Sequence, residues 1–119
     1  VIFMVLSVRA ILLRRASKVA LGDGDQPALR RAVRAHANFA EYVPFALILL
    51  FFLEVQAIAD STIHLLCAAL LIGRVLHAYG VSQPTEDYRF RVAGMILTLV
   101  AIGGAVMRLL MRAPHQLFG

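Results

Sequence analysis

An all-α integral membrane protein of four transmembrane helices is the fold this sequence predicts, and three observations predict it. Apolar residues make up 61% of the 119 positions and charged residues 16%, against roughly 45–50% and about 25% in an ordinary soluble domain. A soluble domain of this length buries only about two thirds of its surface, so such a composition would leave broad apolar patches in water. The apolar residues also gather into continuous runs, residues 1–8, 42–53, 63–76 and 92–107, whereas a strand barrel needs alternation. Finally, Arg9, Arg14, Arg15, Lys18, Arg30, Arg31 and Arg34 flank the first connection, and no basic residue lies between Glu54 and Asp60. The formal charge of +5 is therefore placed as the positive-inside rule places it, not as a nucleic-acid surface, with the first and third connections cytoplasmic and both termini outside. Arg89 and Arg91 agree with this orientation, while Arg108 and Arg112 oppose it.

The elements follow in order within a single domain, residues 1–119. The first helix is expected over residues 1–18. Its apolar run is short, lacks a small-residue cleavage pattern and precedes its basic residues, so it reads as a helix without its beginning in preference to a signal peptide. Residues 21–26 form a turn, because Gly22 and Gly24 tolerate positive φ and Asp23 and Asp25 can satisfy local donors. Asp25 or Gln26 would cap a second helix over residues 27–54, with Pro27 in its first turn; Pro44 inside it predicts a bend or a tight contact. A third helix over residues 61–79, capped by Asp60 or Ser61, would close at Gly80. The fourth, over residues 86–111, would place Glu86 and Asp87 in its first turn, where the helix dipole favours acids, and Pro114 would mark its close. Short connections make sequential neighbours antiparallel. Gly73, Gly94, Gly103 and Gly104 would permit close helix contact.

No apolar run reaches the roughly twenty residues of a clean membrane span. Each helix therefore carries polar positions at depth, where function is to be sought. Arg34, Asn38 and Glu41 lie four and three residues apart on one helical stripe, continued by Arg30. A carboxylate at that depth demands a partner, so Glu41 should meet a basic residue of another helix, as Arg74 could provide, or the amine of a ligand. Arg74 and His77 sit together on the third helix; a guanidinium there suits either a structural pair or a carboxylate ligand. Arg91 is the last charge before a long apolar run, beside Tyr88 and Arg89 at an edge where basic residues often serve only to orient a helix. Against a bound thiol, Arg91 would favour the thiolate, supplying a nucleophile without a protein cysteine. Cys67, alone in an apolar run, reads as a buried inert thiol. No metal site is expected, since His36, His64 and His77 fall on different helices or faces.

With these residues placed, the chain resembles the membrane-associated eicosanoid and glutathione metabolism superfamily, and among its members the microsomal glutathione transferases, in a small bacterial form. Arg34-Ala-His-Ala-Asn38-Phe-Ala-Glu41-Tyr-Val-Pro44 matches the family pattern at the family spacing. Arg14-Arg15-Ala-Ser-Lys18, Leu21-Gly-Asp-Gly, Gly73-Arg-Val-Leu-His77-Ala-Tyr-Gly80 and Arg91-Val-Ala-Gly94-Met support it in family order. The resemblance implies a homotrimer of four-helix protomers that binds glutathione between subunits near the cytoplasmic side of a bacterial inner membrane. Carried over, Asn38 and Glu41 would contact the tripeptide, Glu41 through its amino group. Arg34 would contact it or brace the network, Arg74 and His77 would serve its carboxylates or backbone, and Arg15 matches more loosely. Arg91 would stabilise the thiolate.

Ala37, Val81 and Val92 stand where the family's prostaglandin synthase carries Arg, Tyr and Ser, which argues against prostaglandin isomerisation but leaves thiolate addition possible. The expected activity is a glutathione-dependent transferase or peroxidase acting on an apolar electrophile from the bilayer. The alternative is a non-enzymatic lipid-binding or scaffolding protein, because one branch of the superfamily binds lipid for a partner enzyme. A solute pathway is disfavoured by the scarcity of polar positions.

Overall fold

The computed structural model describes residues 1–56, 60–85 and 88–117, with residues 60 and 113–117 described by backbone alone. The described residues form four helices: α1 Ile2–Ala16, α2 Pro27–Val55, α3 Asp60–Ser82 and α4 Tyr88–Leu117. Three of them, α2, α3 and α4, are long and apolar enough to cross a membrane. Only 22–28% of their most apolar windows is buried inside the protein. Large side chains such as Phe45, Phe51, Leu65 and Leu110 point outward, an arrangement that water would penalise and lipid would not.

The turn between α1 and α2 forms as its composition predicts. Gly22 and Gly24 adopt φ of 72° and 54°, joined by Lys18 at 54° and Asp25 at 55°. Asp23 accepts a bond from the Asp25 amide and, with Asp25, pairs with Arg30. The Arg30 hydrogen bond holds the Asp23 carboxyl below the usual carboxylate range. Gln26 is the N-cap of α2, but no side-chain bond caps that end. Instead Asp25 is drawn toward Arg30, one turn inside the helix. α1 stops at Ala16, two residues short of expectation, because Ser17 closes the helix and Lys18 turns into the left-handed region.

Gly80 does not end α3, which continues to Ser82. A Cβ at Gly80 would lie 2.8 Å from the Arg91 amide nitrogen and 2.9 Å from the Phe90 Cβ, so this glycine admits α4 instead of breaking α3. Gly73 and Gly94 face each other in the same interface: a Cβ on Gly94 would lie 2.5 Å from the Gly73 carbonyl oxygen, and one on Gly73 2.8 Å from the Gly94 carbonyl oxygen. Gly104 receives Leu66, while Gly103 faces open space. Such small-residue contacts are how membrane helices gain dispersion energy without a hydrophobic drive. Contacts rise along α3 as they fall along α4, from Thr62 with Arg108 to Gly80 with Arg91.

Ala46, Leu50 and Leu53 of α2 join Ile63, Leu70, Ala101 and Ala105 in one core cluster; Leu6, Ala35 and Val81 tie α1 to α2 and α3 in another. Arg9 adds a side-chain bond to Ser82. α2 runs unbroken past Pro44, which is exposed, so the tight contact expected there is not made within the protomer. α4 likewise continues past Pro114 to Leu117; a proline removes one donor without obliging the helix to stop. The expected first-turn acids Glu86 and Asp87 lie outside the described residues, as does the side chain of Asp60. Cys67 is exposed, not buried; it lines an open apolar pocket with Phe39, Val43 and Leu47 of α2.

Candidate functional site

Arg74 organises the polar interior. It is 2% exposed, and its Nη1 donates to Asn38 Oδ1 at 2.7 Å. Its Nη2 donates to the Gly94 carbonyl oxygen at 3.4 Å and contacts Met95 Sδ at 3.4 Å, and its Cζ sits 5.6 Å from the Tyr42 ring centre. Nε is buried without a hydrogen-bond partner. Thr98, fully buried, donates from Oγ1 to the same Gly94 carbonyl at 2.8 Å. The guanidinium thus joins α2, α3 and α4 through neutral groups alone.

The Arg74–Glu41 pair, one of those open to the two residues, does not form, and Glu41 is exposed without an ion partner among the described residues. Helical phase explains why. From Asn38, Tyr42 is displaced by about 40° one way and Glu41 by about 60° the other; with Asn38 and Tyr42 both turned to Arg74, Glu41 is turned out.

A cavity of about 230 Å³ opens beside this network. α2 lines it with Arg30, Arg31, Arg34 and Asn38, α3 with His77 and Gly80, and α4 with Arg91; Gln83 closes the loop side. Among the described residues no carboxylate lines it. Because Arg74 can only donate, it must meet the oxygen of the Asn38 amide, leaving the Asn38 NH₂ as a donor. The cavity therefore offers guanidinium and amide N–H groups, with His77 as its titratable member, and is built to receive acceptor-rich anions.

His77 and Arg91 also line a second, apolar groove of about 260 Å³ with Tyr88, Val92, Met95 and Leu99. The Arg91 Cζ lies 5.5 Å from the Tyr88 ring centre. These two residues thus border both a cationic compartment and an apolar one. Of the residues expected at the site, Arg34, Asn38, His77 and Arg91 come together. Arg74 stands behind Asn38, Glu41 faces outward, and Arg15 lies in a separate cleft with Ile11, Arg14 and Lys18. Tyr42, Met95 and Thr98 were not foreseen. Tyr42 and Met95 fall inside the family motifs without a role of their own, and spacing is the signal that places Tyr42 one turn after Asn38 and Thr98 one turn after Gly94.

The fold and this site define a class: a polytopic helical membrane protein with a cationic cavity beside an apolar groove. Residues 1–111 match the profile of the MAPEG family, and the chain belongs to that family. It is 34% identical over 116 residues, 98% of this chain and 87% of the relative, to the inner membrane protein YecN of Escherichia coli, matched in two strains. No solved structure matches the chain significantly.

Proposed function

We propose that the chain is a glutathione-dependent transferase, resembling the microsomal glutathione transferases, that activates the glutathione thiol for attack on an apolar electrophile from the bilayer; an organic peroxide is one such electrophile. The observation that carries this reading is the shared border formed by His77 and Arg91. One side suits the carboxylates of a tripeptide; the other suits an apolar reactant. Arg34 and the Asn38 NH₂ bind carboxylate or carbonyl oxygens. Arg91 stabilises the cysteinyl thiolate, whose proton leaves to solvent, and the sulfur then bonds to the electrophile as the leaving group departs. Holding both reactants at one border supplies proximity.

Among the described residues the cavity has no acid for the tripeptide's amino group, and the exposed Glu41 has no cation. Both deficits end if protomers assemble, so the reading includes a homotrimer with antiparallel neighbouring helices, in which Glu41 meets the ligand bound at an adjoining protomer. The concentration of arginines about the first connection supports a cavity on the cytoplasmic side, and the likeness to an Escherichia coli inner membrane protein supports a bacterial inner membrane. Equilibrium binding of glutathione to the protein in detergent tests this. We expect saturable binding, weakened about tenfold or more by Glu41→Gln through loss of a charged hydrogen bond. Absence of binding in the unaltered chain would refute the transferase reading. That result would favour a non-enzymatic lipid-binding or scaffolding role, for which the apolar pocket of about 280 Å³ lined by Phe39, Val43, Leu47, Cys67 and Leu70 is the supporting feature.

A further inference from the structure

We propose that Met95 is a site of oxidation by apolar hydroperoxides: its sulfur takes one oxygen atom from a peroxide seated in the groove beside His77 and Arg91, and Arg74 holds the sulfoxide that results. The backbone decides where this side chain lies. Gly94 is pressed against α3, a Cβ there falling 2.5 Å from the Gly73 carbonyl oxygen, so the next residue is carried to the edge of the helix contact. Met95 is half-buried at that edge. Its Sδ lies 3.4 Å from Arg74 Nη2, and its side chain lines the apolar groove of about 260 Å³ with Val92, Ile96 and Leu99. Among the described residues it is the one sulfur in that lining.

A thioether is a soft, polarizable nucleophile that needs no deprotonation. Sulfur has two lone pairs, and the long contact to Nη2 occupies one of them. The other attacks the terminal oxygen of the hydroperoxide. An S–O bond forms, the O–O bond breaks, the proton of the terminal oxygen passes to the departing oxygen, and the peroxide leaves as an alcohol. Sulfur is oxidised by two electrons and the peroxide reduced by two, so no further reactant is required. Negative charge grows on the departing oxygen before the proton reaches it, and the Arg91 guanidinium at the groove's border is the donor placed to meet that charge. Met107 and Met111, 54% and 60% exposed on the outer surface, line no part of this groove.

Oxidation turns an apolar side chain into a polar one, and in an apolar bundle that oxygen needs a donor. Arg74 supplies it. Its Nη2 divides itself between the Gly94 carbonyl oxygen and the Met95 sulfur, both at 3.4 Å, and its Nε is buried without a partner. An oxygen on the Met95 sulfur gives this guanidinium a stronger acceptor than either of those two long contacts. The chemistry rests on the groove being the seat of an apolar reactant, as in the transferase reading, but it uses no thiol.

The test exposes the full chain in detergent to substoichiometric cumene hydroperoxide or hydrogen peroxide, without thiol, and follows each methionine by peptide mass spectrometry. With cumene hydroperoxide, Met95 is expected to gain oxygen about tenfold or more faster than Met107 and Met111, the worth of a charged hydrogen bond to the departing oxygen. Hydrogen peroxide, which an apolar groove does not retain, is expected to show no such preference. Leu99→Phe, which narrows the groove away from its polar end, should slow Met95 alone, and Arg91→Ala should bring Met95 down to the rate of the other two, each with helix content unchanged by circular dichroism. Protein carrying one oxygen on Met95 is expected to keep its melting temperature, whereas Arg74→Met should melt lower once oxidised there. Met95 reacting no faster than Met107 and Met111 in the unaltered chain overturns the proposal without any variant. So does an equal preference with hydrogen peroxide, a preference unchanged in either variant, or a sulfoxide that destabilises the unaltered chain as much as Arg74→Met. Because no thiol is present, failure of glutathione to bind would refute the transferase reading and leave these rates standing.

Discussion

Replacing Gly94 by alanine is expected to cost the fold about 3 kcal/mol, the upper part of the usual range for overpacking. The added methyl would sit 2.5 Å from the Gly73 carbonyl oxygen and 2.6 Å from the His77 amide nitrogen. Both are backbone atoms of α3, so no side-chain rotation relieves the clash, and α3 and α4 must separate. That movement would also withdraw the Gly94 carbonyl from Arg74 and Thr98 and shift Arg91 relative to His77, so any glutathione binding should fall with stability. Gly103→Ala is the control: nothing lies within 4 Å of its added methyl, and helix propensity predicts a gain of up to about 1 kcal/mol. Denaturation followed by circular dichroism in detergent distinguishes the two; equal stability of both variants would contradict the close α3–α4 contact.

Arg74→Met is expected to separate stability from binding. In the protomer a guanidinium is buried against an amide, a carbonyl, a thioether and a ring, with one nitrogen unpartnered and no acid paired to it among the described residues. A charge so placed is poorly compensated, and an unbranched apolar replacement of similar length commonly leaves stability unchanged or raises it, by about 1–4 kcal/mol in favourable cases. Asn38, however, would lose the bond that orients its amide. Ligand affinity at the cationic cavity should then fall roughly tenfold, the worth of one misdirected hydrogen bond. Thermal unfolding and glutathione binding on the same preparation check both halves. A variant that unfolds would mean the guanidinium holds the bundle together; one that binds normally would mean Asn38 needs no positioning.

Much of this architecture was readable in the sequence because lipid makes a simple demand: apolar runs must be helices, and the turn between them must use residues that tolerate it, as Gly22, Asp23 and Gly24 do. Grouping Arg34, Asn38, His77 and Arg91 depended on spacing and family pattern, and those four do line one cavity. Errors arose where the sequence specifies a residue's phase on its own helix but not the sector a neighbour occupies. Glu41 and Tyr42 are adjacent, and only the position of Arg74 decides which turns inward. Cys67 lies in an apolar run, which signals burial in water but not in a membrane protein whose exterior is equally apolar. Gly80 carries the same letter whether it ends a helix or admits another, and here Phe90 and Arg91 decide the matter.

The central claim is that Arg91 makes a thiolate at the border between the cationic cavity and the apolar groove. Its most direct test is the ultraviolet thiolate band of bound glutathione, followed against pH in the unaltered protein and in Arg91→Ala. An ordinary thiol loses its proton near pH 8.5, and an adjacent unit charge of opposite sign lowers that by about 1–3 units. The band should therefore be present at neutral pH and vanish as pH falls. In Arg91→Ala it should emerge only at least one unit higher, equivalent to about 1.4 kcal/mol of lost thiolate stabilisation. An identical titration in the two proteins would contradict the assignment of Arg91.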